Sequence, residues 1–218
     1  YFRCIFFSKR VFQMLHYETI SPGTLELLRK IQSLEMFKDA RLAGGTALAL
    51  QLGHRKSIDL DFFGHVDASL QEIVLELSEF ATAAPLSESR MMRFLIVDGV
   101  KVDVVNYPYS WIDCTIIEDG VTLAGIKDIA AMKLSAITNR GTKKDFVDFY
   151  FLLKYFSFGD LIDLFVQKYS DAQLFTTLKS LTYFDDAEKD PMPMMMSPLK
   201  WEDVKMQIVV EVGNYLSR

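Results

Sequence analysis

Cysteine is scarce. The 218-residue chain has two, Cys4 and Cys114, which offer neither a disulfide framework nor the paired spacing of a metal site. A reducing, cytoplasmic setting is the default expectation from that usage. Histidine is almost as rare, with three, and no Ser/His/Asp or Cys/His pattern supports acyl transfer. No apolar run approaches the ~18–20 residues of a membrane span, so no membrane partner is expected. Basic blocks are missing too: 24 Lys and Arg against 29 Asp and Glu leave a formal net charge of −5. That balance argues against coating nucleic acid through an overall field, while a local basic groove stays open. Neither G-x-x-x-x-G-K-[ST] nor G-x-G-x-x-G occurs, which removes two common phosphate-binding signatures.

What is present is a large apolar fraction. Half the residues are hydrophobic, 17 are Phe, and the mean hydropathy is +0.13. The length suits one generous domain or a core with a smaller appendage. Residues 1–13, aromatic and basic, read as an N-terminal extension or expression remnant, with Met14 a natural start; their apolar part is too short for a signal peptide. Ser21 and Pro22 open a helix whose buried face should carry Leu25, Leu28, Ile31 and Leu34. "RLAGG" gives a short strand, "TALALQLG" a helix ended by Gly53, and "SIDLDFF" a half-buried strand. In "MRFLIVDGVKVDVVNYP", Asp98-Gly99 marks a hairpin turn. "GVTLAG" adds a further short strand. From Lys127 onward the periodicity is helical, in "DIAAMKLSAITNR", "KKDFVDFYFLLKYF", 159–169, 171–180 and 201–216, with a Pro- and Met-rich loop before the last. The expected fold class is therefore α+β: a mixed-sheet core over residues 14–125 with flanking helices, then a helical C-terminal portion over 126–218.

The chemistry concentrates in "GGTALALQLGHRKSIDLDFFG". Asp59 and Asp61 are two apart in a strand and should share a face. Asp103, in "VKVDVV", would join them from a second strand. Three converging carboxylates repel unless cations sit among them, and hard oxygen ligands suit Mg²⁺ or Mn²⁺. Gly44-Gly45-Thr46, between strand and helix, lets backbone amides approach a phosphate. Arg55 could fork onto a phosphate, with Ser57 beside it. Lys133, one turn into a helix, would neutralise triphosphate charge, Arg140 shares its face, and Asp145 would orient a basic group or a second substrate. Each element also has a plain structural reading. Asp59 and Asp61 can decorate the wet face of an edge strand, and a Gly-Gly turn needs no ligand. Asp128 and Asp145 make good N-caps, Lys133 can snorkel, His54 suits a structural or capping role, and the three consecutive methionines suit irregular packing.

Taken in order, "LAGGTALALQLGHRKSIDLDFF", "VKVDVV", "DIAAMKLSAITNRGTKKDFVDFYFLL" and the closing "LTYFDDAEKDPMP…WEDVK" resemble the AbiEii/AbiGii type of nucleotidyltransferase. That family supplies the toxin of many bacterial toxin–antitoxin pairs. The resemblance implies the nucleotidyltransferase fold of the polymerase β superfamily and Mg²⁺-dependent transfer from an NTP to an RNA or a protein acceptor, with tRNA 3′ ends among the acceptors of relatives and a cognate antitoxin encoded nearby. It also implies roles: Gly44, Gly45 and Thr46 on the triphosphate, Asp59 and Asp61 on metal, Asp103 as third carboxylate, and Lys133 and Asp145 needed for activity. Two other functions remain open on the residues alone. One is a nucleotide-binding module that acts through a partner protein; the other is kinase-like transfer of the γ-phosphoryl group.

Overall fold

The computed structural model describes residues 15–171 and 173–217; the expected extension over 1–13 lies outside them. In chain order the elements are α1 (Pro22–Ser33), β1 (Ala40–Leu42), α2 (Gly44–Leu52), β2 (Leu60–Gly64), α3 (Leu70–Ser78), β3 (Ala83–Glu88), β4 (Met92–Val97), β5 (Val100–Asn106), β6 (Ile116–Glu118) and β7 (Val121–Leu123). Helices follow: α4 (Ile126–Asn139), α5 (Lys143–Leu152), α6 (Phe158–Lys168), α7 (Leu174–Ser180), α8 (Asp185–Glu188) and α9 (Trp201–Leu216). The strands form one seven-stranded sheet in the order β3-β4-β5-β2-β1-β7-β6. It is mixed: β2 runs parallel to β5 and β1 parallel to β7, and the other pairs are antiparallel. The result is an α+β fold with a central mixed sheet, flanking helices and a helical C-terminal region, as expected.

Local chemistry sets the element ends. Ser21 Oγ accepts from Thr24 N–H, with Pro at the first helical position of α1. The face that α1 buries carries Thr24, Leu27, Leu28 and Ile31; Leu25 and Leu34, expected there, pack only partly buried at its margin. Gly53 closes α2 in the left-handed region at φ +65°, where a Cβ is costly. Asp98-Gly99 joins β4 to β5 with φ of 49° and 80°, the signature of a type I′ hairpin. The same dipeptide recurs at Asp119-Gly120, with φ of 49° and 77°, and turns β6 back on β7, the strand expected in "GVTLAG"; β6 has three residues, too short for alternation to be read. The three methionines lie against the α2–β2 connection: Lys56 N–H donates to the Met194 carbonyl and Met196 N–H to that of His54.

One hydrophobic core joins the sheet to the later helices, from Leu42, Leu60 and Phe62 to Leu134, Phe146, Phe149 and Val204. Helix α4 contacts α2, α5, α6 and α7. Residues of α4, β2 and β5 line one cavity, which holds the candidate site.

Candidate active site

Residue β2 Asp61 and residue β5 Asp103 are register partners on adjacent parallel strands. Both side chains therefore leave the same face of the sheet. Over them lies the start of α2. Gly44 has φ +64°, and a Cβ there would collide with the Asp61 carboxylate. A Cβ on Gly45 would likewise collide with the Arg55 guanidinium. The two glycines are thus required by close approach, not only by turn geometry. Helix α2 begins without a capping side chain, so no N-cap side chain bonds its first N–H groups, in contrast to the serine-capped α1, α3 and α6.

A cavity of about 260 Å³ opens here, with Gly44, Asp61, Asp103, Lys133 and Arg140 as its polar lining and Phe63 among its apolar walls. Burial, reinforced by the Asp103 charge, pushes the Asp61 carboxyl up to about 6. Asp103 Oδ2 pairs with Lys101, but its buried Oδ1 has no partner. Two carboxylates that repel, one with an orphaned oxygen, are a donor set that fits a hard divalent cation. Asp59 stands apart. It lies one residue before β2, is absent from the cavity lining, and pairs with Lys144 Nζ at 3.4 Å. The alternation read in "SIDLDFF" stops at Leu60, for Ile58 is 68% exposed. Among the described residues no group of three His, Cys, Asp or Glu is arranged to hold a metal. The expected triad is therefore a close pair with a neighbour at its border.

The remaining expected residues form a buried charge network behind the cavity. Asp148 carries no expected role from its position, yet it is the hub. Arg55 forks onto it, Nε to Oδ1 at 2.6 Å and Nη2 to Oδ2 at 2.9 Å, rather than facing an open phosphate site. Lys133 Nζ lies 2.6 Å from Asp148 Oδ2 and 3.0 Å from Asp145 Oδ1. His54 Nε2 is 2.8 Å from Asp148 Oδ1; burial pulls its pKa down, which leaves a neutral ring in the structural role expected. Asp145 also accepts from Arg140 and from Thr142 Oγ1. It is the third residue of α5, not its N-cap, and it pairs with Lys133 and Arg140. Asp128 is no N-cap either: it sits inside α4, accepts from the N–H groups of Ile112 and Asp113, and pairs with Lys168 at 2.6 Å. Lys133 does not snorkel; its side chain is 4% exposed. Thr46 is buried; its hydroxyl donates to the Asp59 carbonyl and lies 2.8 Å from Ser57 Oγ, from which it can accept, so Thr46 and Ser57 hold the strand entry. The i, i+3 spacing of Asp145 and Asp148, which puts both on one helix face, was the available signal for the hub.

Burial alone would raise the Asp148 carboxyl, but Arg55 and Lys133 outweigh it and hold it well below the usual range. Asp145 is lowered in the same way, by Lys133 and Arg140 against burial. Groups with lowered folded-state pKa add stability that is present above the unfolded value and lost as pH falls through the folded one. The urea midpoint should drop steeply below about pH 4, with a shallower drop in Asp145→Asn. Equal acid slopes for the two proteins would contradict this assignment.

Comparison with known proteins now places the chain. Residues 26–214 match the family model described as nucleotidyl transferase AbiEii toxin, type IV toxin–antitoxin system. An uncharacterized protein of Aquifex aeolicus is 34% identical over 197 residues, covering 88% of this chain and 95% of that protein. Among solved structures, the fold is shared with JHP933 from Helicobacter pylori (18% identity, 89% and 92% of the two chains, TM-score 0.53). It is also shared with MenT4, a nucleotidyltransferase toxin of Mycobacterium tuberculosis (16% identity, 88% and 82%, TM-score 0.52).

Proposed function

The chain belongs to the AbiEii family of nucleotidyltransferase toxins, in the polymerase β-like superfamily, and from that premise we propose that it transfers a nucleotidyl group from an NTP to an acceptor hydroxyl. The observation that carries this reading is the pairing of Asp61 with Asp103 beneath the Gly44-Gly45 helix start. Asp61 and Asp103 would hold Mg²⁺ or Mn²⁺, with Asp59 at the border able to join them by leaving Lys144. When bound, such cations supply charge neutralisation for the attacking and leaving oxygens.

The chain's own groups do the rest. The amides of Gly44 and Gly45 take phosphate oxygens, as at other helix starts. Arg55, Lys133 and Arg140 face only Asp145 and Asp148 in the network, so one positive charge is left over beside the cavity; it opposes the triphosphate charge. Arg55, Thr46 and Ser57 act by holding the glycine turn and the strand entry in place, and Asp145 by aiming Lys133. Asp103 accepts the proton of the acceptor hydroxyl, whose oxygen attacks the α-phosphorus as the bond to pyrophosphate breaks. We assign RNA, tRNA 3′ ends included, as acceptor, and an antitoxin encoded nearby as regulatory partner. Among the described residues no helix is long and apolar enough to cross a membrane.

One observation favours a second reading. The lack of a three-carboxylate group among the described residues suits a nucleotide-binding module without transfer. Incubation with total RNA and each NTP labelled at the α- or γ-phosphate separates these readings. The α label should enter RNA; NTP binding without label in any polymer favours the module, and γ label in product means phosphoryl transfer.

A further inference from the structure

A second cavity flanks α4. Its lining includes Tyr109, Ser135, Thr138, Asn139, Tyr169 and Thr177. On α4 its residues lie roughly 120° around the helix from those facing the first cavity, at about 100° per residue. A chain of aromatic ring contacts links the two cavities. Phe63, which lines the first, meets Tyr107 edge-on with ring centroids 5.2 Å apart. Tyr107 meets Tyr109 at 5.3 Å, and Tyr109 meets Tyr169 at 4.7 Å in the second cavity. Tyr107 and Tyr169 are tied by a 2.8 Å hydrogen bond between their hydroxyls, and Lys168 lies 5.0 Å over the Tyr107 ring. Tyr109 is 40% exposed, with hydroxyls and the Asn139 amide across from it.

We infer that this second cavity holds a base of a single-stranded RNA acceptor, stacked on Tyr109, while the strand's 3′ end reaches the first cavity along this chain of rings. The inference rests on the transfer reading above. Flat rings receive any base, and the polar groups opposite can meet a base edge. The chain's net charge of −5 sets a further condition: affinity must come from stacking, so the salt dependence is shallow compared with a protein that neutralises many phosphates.

The test is the affinity of a fluorescent single-stranded oligoribonucleotide with a free 3′ hydroxyl, measured by anisotropy without NTP. Tyr109→Ala should weaken binding roughly ten-fold or more, the scale of one lost base stack. Tyr109→Phe should bind as the parent does, and NTP affinity should not change in either. Thermal unfolding checks that both variants are folded. Equal RNA affinity in Tyr109→Ala and parent overturns the inference, as does binding of a mixed-sequence peptide in place of RNA, or loss of NTP affinity together with RNA affinity. If Tyr109 governs RNA binding but no α label is ever transferred, the transfer reading fails and this site stands. If label is transferred with RNA affinity indifferent to Tyr109, only this site fails.

Discussion

Asp61→Asn is expected to lower nucleotidyl transfer by at least about 10³-fold, on the scale of losing a group that stabilises transition-state charge. The protein should nevertheless fold. Asp61 is ionised against burial and against Asp103, which is why its carboxyl is pushed up to about 6. Removing that charge relieves a repulsion, so without metal at neutral pH the variant should melt at or above the parent's temperature. Activity and stability then move in opposite directions, as they do where a site is strained for function. Transfer assays and calorimetric melting on the same preparation check both halves. A variant that is inactive only because it is unfolded would not support the role given to Asp61.

Asp148→Ala should act through stability. It removes the carboxylate that faces Arg55, Lys133 and His54, all of them buried. Breaking a buried pair by deleting one partner costs about 3–5 kcal/mol, because the other charge is left uncompensated. For a chain of this size that is roughly 10 °C in the melting midpoint. The loss should be partly recovered in the double variant Asp148→Ala with Arg55→Met, which removes a stranded charge as well. A cost below about 1 kcal/mol, the range of exposed ion pairs, would show that the network is wet rather than buried.

Much of the fold was legible because its signals are local. Asp98-Gly99 requires positive φ at two successive residues, and Ser21-Pro22 and Gly53 mark helix ends by their own chemistry. The strand β3 was not legible: five of its six residues are exposed, it contains Pro85, and its register shifts between Pro85 and Ser87. At the site, the glycine pair, Asp61 and Asp103 could be read from spacing and strand pattern. Asp59 was placed one residue too deep, since alternation does not reveal where hydrogen bonding starts. The partner of Arg55 was out of reach. Asp148 is 93 residues away, and an arginine free to fork onto phosphate looks the same in sequence as one already forked onto a buried carboxylate.

The central claim is that Asp61 and Asp103 hold a divalent cation beside the Gly44-Gly45 turn. Anomalous diffraction from crystals grown with Mn²⁺ and a triphosphate that resists α–β cleavage tests it most directly. The account predicts a manganese peak between the Asp61 and Asp103 carboxylates, with phosphate oxygens against the amides of residues 44 and 45. Manganese bound elsewhere, or a triphosphate seated away from that turn, would contradict it.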